Sequence, residues 1–407
     1  MFGCFFPRPQ LFLLAAALWA LAAILFWYLV AGDWGDPTGL HEAIGAESRT
    51  VWLYLYVVAC YAIFAMAWMR LFPHEWSLWS VGGSCLILFV TWFQVQLDVM
   101  INEWFGTFYD TVQKALAEPG AVTAEDYFGQ LATFLYIAMV FITTAVLNAF
   151  FTSHYVFRWR TAMNDRYVHL WRRISHIEGA SQRVQEDTMR FASIMESLGS
   201  RFIDAVMTLI AFLPILWMLS ESVREIPVLG DVPGALVWVA LIWSIGGTVL
   251  LAIAGYRLPG LEFRNQRVEA AFRKELVIGE DRKDRAEPIT LGELFSNVRR
   301  NYFRLYLNYL YFNIFRYGYL QAGVILPYIA LGPTIVSAGF TLGVMQQIIR
   351  AFSRVENSFQ FLVNSWTTIV ELMSIYKRLR AFEAAIAGDE QAAIEFEVPG
   401  MRPWTGE

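Results

Sequence analysis

Long apolar runs alternate with polar stretches along the whole chain, and the longest polar stretches lie in its middle and second half. The runs at about 11–31, 51–69, 80–101, 131–151, 202–219, 235–255 and 302–331 each predict a membrane-crossing helix. About 20 apolar residues are enough to cross the hydrocarbon core of a bilayer. Pro333 predicts a turn, after which an eighth helix starts near Thr334 and runs unbroken to about Phe382. The stretches 158–201 and 257–304 are too long and too charged for loose loops. They predict membrane helices that continue beyond the bilayer. Segment 102–130 mixes aromatic and acidic residues, which predicts an amphipathic loop resting at the interface; a gate is the other reading. The acidic tail from Ala387 onward carries Pro and Gly near its end and is expected to be disordered.

Charge fixes an orientation for these elements. The connections at 32–50, 102–130 and 220–234 hold one basic residue each: Arg49, Lys114 and Arg224. In contrast, 154–201 holds Arg158, Arg160, Arg166, Arg172, Arg173, Arg183, Arg190 and Arg201, and 257–304 is similarly rich. The positive-inside rule places both stretches in the cytoplasm. Eight crossings with both termini inside satisfy every connection.

Composition agrees with this picture. Of 407 residues, 57% are apolar and 16% charged, a balance that excludes an ordinary soluble protein. The expected fold class is therefore an all-α polytopic membrane protein. Cys4, Cys60 and Cys85 form no disulfide framework or CxxC site, and the five histidines lack metal-ligand spacing. No metal, cofactor or nucleic-acid partner is expected. The first apolar run is long enough to span and lacks a convincing cleavage site, so it is read as a helix rather than a signal peptide.

The rhythm of the last six runs, short connections outside and long charged ones inside, resembles the membrane half of an ABC exporter. RWRTAMN at 158–164 resembles the RWR-x-x-L-T element of fatty-acyl ABC half-transporters, as do QRVQED at 182–187 and NQRVEAAFRKEL at 265–276. TLGVMQQIIRAFSRV at 341–355 and YKRLRAF at 376–382 resemble the helix that leads into a nucleotide-binding domain. No GxxxxGK[ST] loop occurs in the sequence. An exporter-like membrane domain without its ATPase is similar to the SbmA/BacA family of peptide transporters. The similarity runs from FFPRP at 5–9 and GDW at 32–34 through FVTWFQVQ at 89–96 and FYD at 108–110. HIEGASQRVQEDTMRFAS at 176–193, LPGLEFRNQRVEAAFRKELVIGEDR at 258–282, NYFRLY at 301–306 and NSWTTIVELMSIYKRLR at 364–380 extend it over nearly the whole chain. The expected organisation is two extra helices in 1–79, an exporter-like domain at 80–383 and a tail at 384–407. The resemblance implies a homodimeric bacterial inner-membrane importer of peptides and peptide-like antibiotics, driven by the proton gradient. It implies no enzymatic activity. An ATP-dependent transporter with its ATPase on a separate chain and a non-transporting envelope scaffold are the other readings.

Proton coupling needs groups that change charge near neutral pH, and an ordinary glutamate at about 4.3 does not. Burial or a neighbouring like charge raises that value. On an unbroken helix Glu262, Glu269 and Glu280 fall within about 20° of one face, in rungs roughly 10 and 16 Å apart. Gly260 and Gly279 are the weak points of that assumption. Glu186 and Glu196 lie about 80° apart around an ideal helix and about 15 Å along it. Glu371 stands alone in the apolar run IVELM, where a carboxylate is costly unless paired or protonated. Each of these also reads as a solvated helix charge, and Glu186–Arg190 and Glu269–Arg273 have ion-pair spacing. The family's glutamate ladder implies Glu186, Glu196, Glu269, Glu280 and Glu371 as the proton path, with Glu262 and Glu275 in reserve. Trp92, Phe93, Tyr302, Tyr306, Tyr309 and Tyr311 are candidates for a peptide cavity, although packing and interface anchoring explain such residues more often. Arg158 and Arg160 suit lipid phosphate, but positive-inside anchoring is the preferred reading.

Overall fold

The computed structural model describes residues 2–44, 47–175, 180–223, 232–282, 286–337 and 339–387. The expected disorder of the tail concerns residues outside this set, apart from Ala387 itself. Among the described residues the chain is almost entirely helical, without strands. The long helices are α1 (Pro9–Leu29), α2 (Ser48–Leu71), α3 (Leu78–Ala117), α4 (Ala124–His169), α5 (Ala180–Ser220), α6 (Ala235–Gly255), α7 (Leu258–Asp281), α8 (Pro288–Val336), α9 (Leu342–Phe359) and α10 (Trp366–Ala387). Seven segments are long and apolar enough to cross a membrane: α1 to α5, α8, and α6 together with the first residues of α7. This is a multi-pass membrane protein.

Three expectations change. Segment 102–130 is no loop, because α3 continues to Ala117 and α4 already begins at Ala124. Thr123 and Asp126 form a capping box there: the Asp126 amide donates to the Thr123 hydroxyl at 3.1 Å, and the Thr123 amide to the Asp126 carboxylate at 3.2 Å. Pro333 does not end α8, which passes through both Pro327 and Pro333 to Val336. In an apolar setting neighbouring helices offset the missing proline N–H. The stretch 334–382 is not one helix. It divides into α9, a short turn Phe361–Asn364 and α10, although amide bonds from Ser365 to Phe361 and from Ile369 to Ser365 carry the helical path across. With Arg350, Arg354 and Glu356 in α9, this region falls outside the seven apolar candidates.

The extended polar stretches are helical as expected. α4 runs without a break through Arg158 and Arg166 to His169, and α7 spans both Gly260 and Gly279. One departure has no sequence signal. α5 contains two π-helical turns, Arg183–Asp187 and Met195–Gly199.

The chain divides into two compact units. The first holds residues 1–101, 131–207 and 371–407. In it α1 and α2 are joined by aromatic tips that donate to main-chain oxygens: Trp19 to Cys60 at 3.1 Å, Trp52 to Ala31 at 2.7 Å and Tyr56 to Ala23 at 2.7 Å. Such bonds place a polar ring tip in an apolar setting without leaving it unsatisfied. Phe5, fully buried, stacks on Trp159 at 5.8 Å and meets Tyr155 edge-on at 5.3 Å, so the FFPRP segment serves as an anchor.

The connection between α1 and α2 is tied by Asp36. Burial pushes its carboxyl upward, but donors from the Thr38 hydroxyl and amide and from His41 outweigh that and hold it well below the usual carboxylate range. Such a depressed group contributes stability above the unfolded value of about 3.9, and loses it as pH falls through the folded value. Amide exchange at Thr38 and His41 is therefore expected to stay slow down to about pH 4 and to accelerate below it. Asp36→Asn is expected to give the fast rate at every pH.

The second unit holds residues 102–130 and 208–370. The first amides of α9 point at α3: Leu342 donates to Gln113 at 2.7 Å and Gly343 to Asp110 at 2.8 Å. A carboxylate at a helix N-terminus is favourable to both. α6 packs on α8 through Gly247, where a Cβ would overlap the Tyr319 ring. Gly247→Ala is expected to force that ring aside and to destabilise the protein by about 1–3 kcal/mol, measurable by thermal unfolding in detergent.

Candidate functional site

The first unit gathers acids and arginines where α5 meets α10. Asp187, at the end of the first π-turn, has a side chain only 2% exposed. Arg378 of α10 grips it with two bonds, Nε to Oδ2 at 3.1 Å and Nη2 to Oδ1 at 2.7 Å, and Arg183 adds a third at 2.9 Å. A two-pronged guanidinium contact fixes orientation as well as charge. One helical turn on, Arg190 reaches Glu186 at 2.9 Å and Glu371 of α10 at 3.6 Å. Two of the predicted coupling residues thus share one cation. Both remain open to water, at 37% and 49% exposure, so protons can reach them. Nearby, the Tyr167 hydroxyl donates to Glu383 at 3.1 Å.

Glu196 sits in the second π-turn and accepts a 2.5 Å bond from the Ser153 hydroxyl of α4. Each π-turn inserts a residue and rotates the rest of the helix by about 100° relative to ideal geometry. The 80° expected between Glu186 and Glu196 assumed an ideal helix, so it does not describe this one. Single π-turns are frequent at functional sites because they re-aim one or two side chains.

The remaining glutamates belong to the second unit. Glu269 is half-buried and Glu280 exposed on α7. Glu269 makes no ion pair with Arg273, despite the spacing. Glu262 accepts a 2.9 Å bond from the Tyr309 hydroxyl, and Glu275 accepts one from the Ala286 amide at 3.2 Å. Tyr302 and Tyr306 pack ring to ring at 5.7 Å, with Tyr306 and Tyr311 largely exposed. In the first unit Trp92 and Phe93 pack against Tyr54, at 5.1 and 5.9 Å. Arg158 lies over the Trp79 ring at 4.8 Å.

Two carboxylates matter that sequence reasoning left out. Asp187 was passed over because its partner lies 191 residues away. Glu356, in the α9 sequence RVENSFQ, reads as a surface charge but is 9% exposed. Gln360 donates to it at 2.8 Å and to the Tyr319 hydroxyl at 3.0 Å, and Tyr319 in turn stacks on Trp243 at 4.9 Å. The i, i+4 spacing of Glu356 and Gln360, beside apolar Phe352 and Val355, was the available signal. Among the described residues no group of acids, histidines and cysteines could hold a metal ion.

Curated relatives carry ABC transporter in their names. The inner membrane ABC transporter ATP-binding protein YddA of Escherichia coli is 25% identical over 71% of this chain and 54% of its own length. An ABC transporter ATP-binding protein of Synechocystis is 23% identical over 91% of this chain and 55% of its own length. A chloroplastic ABC transporter D family member of Arabidopsis thaliana is 25% identical over 56% of this chain and 33% of its own length. The chain spans about half the length of the first two. The profile of the SbmA/BacA-like family matches residues 73–387, more than three quarters of the sequence. This match, over a helical multi-pass fold, shows that the chain belongs to the SbmA/BacA-like family.

Proposed function

We propose that this protein imports peptides and peptide-like antibiotics across the bacterial inner membrane, driven by the proton gradient. It acts as a homodimer around one cavity, with both termini in the cytoplasm and the α9–α10 region as the eighth crossing. It carries out no chemical conversion. Glu186, Glu196, Glu269, Glu280 and Glu371 carry the proton. The observation that supports this most is the sharing of Arg190 by Glu186 and Glu371. When both acids are charged the arginine holds α5 and α10 together, and protonation of either weakens that tie. The scheme requires protonation to favour one conformation over the other by a differential free energy. Buried Asp187, gripped by half-buried Arg378, supplies the fixed point about which the exposed pairs open.

A second reading has its own support: relatives about twice as long carry "ATP-binding protein" in their names. In that reading an ATPase on a separate chain drives the same membrane domain. Collapsing the proton gradient in cells while ATP is maintained separates the two. Uptake of a fluorescent peptide stops if the proton reading holds and persists if ATP is the source.

A further inference from the structure

The second unit contains an arginine groove that no coupling role explains. It lies between α7 and α8, measures about 520 Å³, and is walled by Arg264 of α7 and Arg300 and Arg304 of α8. Val268, Ala271 and Leu294 give it an apolar floor, and no carboxylate is among its described lining residues. The three arginines are exposed and form no ion pair with a described residue. Asn301 pins the helices beneath them, donating to Asn265 at 3.2 Å and to the Leu261 carbonyl at 3.3 Å. Three guanidinium groups held on one groove repel one another unless an anion joins them.

The same face of α8 leads from this groove into an apolar cavity. Arg300 and Gly318 are 18 residues apart, about five full turns, so they lie on one line along the helix. Between them Leu307 and Tyr311 are exposed. Gly318 then lines a cavity of about 730 Å³ between α6 and α8, together with Ile314, Phe315, Trp243 and Leu250. From Arg304 to Ile314 the rise is about 15 Å. That is half of a hydrocarbon core about 30 Å thick, the depth of one leaflet. Arg304 stands where the apolar run of α8 begins, a position that suits contact with headgroups.

We propose that this face binds one anionic phospholipid, its phosphate among Arg264, Arg300 and Arg304 and an acyl chain along α8 into the α6–α8 cavity. The proposal is independent of how transport is driven. Juxtamembrane arginines contribute about fivefold each to anionic lipid affinity, so removing three costs roughly a hundredfold.

Native mass spectrometry of the delipidated full chain tests this, by titration with phosphatidylglycerol, phosphatidylethanolamine or inorganic phosphate. The wild type is expected to hold one phosphatidylglycerol per chain, at least tenfold tighter than phosphatidylethanolamine and undisturbed by millimolar phosphate. Arg264→Gln/Arg300→Gln/Arg304→Gln is expected to lose that preference, while Arg172→Gln/Arg173→Gln keeps it. Gly318→Leu fills the cavity where a Cβ meets open space. It should weaken long-chain but not dihexanoyl phosphatidylglycerol by several-fold. Wild-type lipid affinity in the triple variant, equal binding of the zwitterionic lipid, displacement by inorganic phosphate, or no chain-length effect in Gly318→Leu would each overturn the proposal.

Discussion

Arg378→Ala is expected to destabilise the protein by about 2–3 kcal/mol, the loss of two charge-assisted bonds to a carboxylate that stays buried. Asp187 is 2% exposed, and without Arg378 only Arg183 still answers its charge. Removing one member of a buried pair costs more than removing both, because the survivor is stranded out of water. Asp187→Leu/Arg378→Met is therefore expected to lie within about 1 kcal/mol of the wild type. Arg183, 27% exposed, then turns to solvent. Thermal unfolding in detergent ranks the three proteins. A single variant as stable as the wild type would mean that this pair does not fasten α10 to α5.

The larger functional effect is expected from the exposed acids. Glu186→Gln, Glu196→Gln and Glu269→Gln are each expected to abolish peptide uptake while the protein folds and inserts normally. Glutamine keeps the size and hydrogen-bonding reach of the protonated acid but cannot release a proton. Glu186→Gln leaves Arg190 with Glu371 alone, and Glu196→Gln still accepts the Ser153 hydroxyl. Neither change opens a cavity, so expression and melting temperature should be unaffected. A variant that loses uptake together with its folded population would speak for a structural role instead.

Much of the fold was legible because a membrane helix announces itself by length and apolarity alone. The runs that open at Leu11, Val51 and Ser80 became α1, α2 and α3, and the arginine-rich extension past Arg158 became the end of α4. The exporter-like motifs led to the right family. Illegible features were those set by tertiary context. Nothing in RVQED or MESLG marks a π-turn, since the extra residue answers packing rather than propensity. Pro333 looked like a stop because its missing N–H counts heavily in water and little inside a helix bundle. Segment 102–130 looked like a loop because its aromatics and acids hide the Thr123–Asp126 capping box.

The candidate site was legible only in part, and for the same reason. Glu186 and Glu371 stood out as single residues, but nothing local predicted that Arg190 would join them across 181 positions. Asp187 and Glu356 were hidden by their polar neighbours, although burial makes each costly to leave unpartnered. Sequence reads exposure poorly where amphipathic helices pack by their polar edges.

The most direct measurement uses the purified protein in sealed vesicles with an imposed pH gradient and no ATP. Accumulation of a fluorescent peptide is recorded for the wild type and for Glu186→Gln, Glu196→Gln and Glu269→Gln. The expected result is uptake by the wild type that scales with the size of the gradient and vanishes in each variant. Uptake at the wild-type rate by all three variants, still sensitive to the gradient, would contradict the glutamate path.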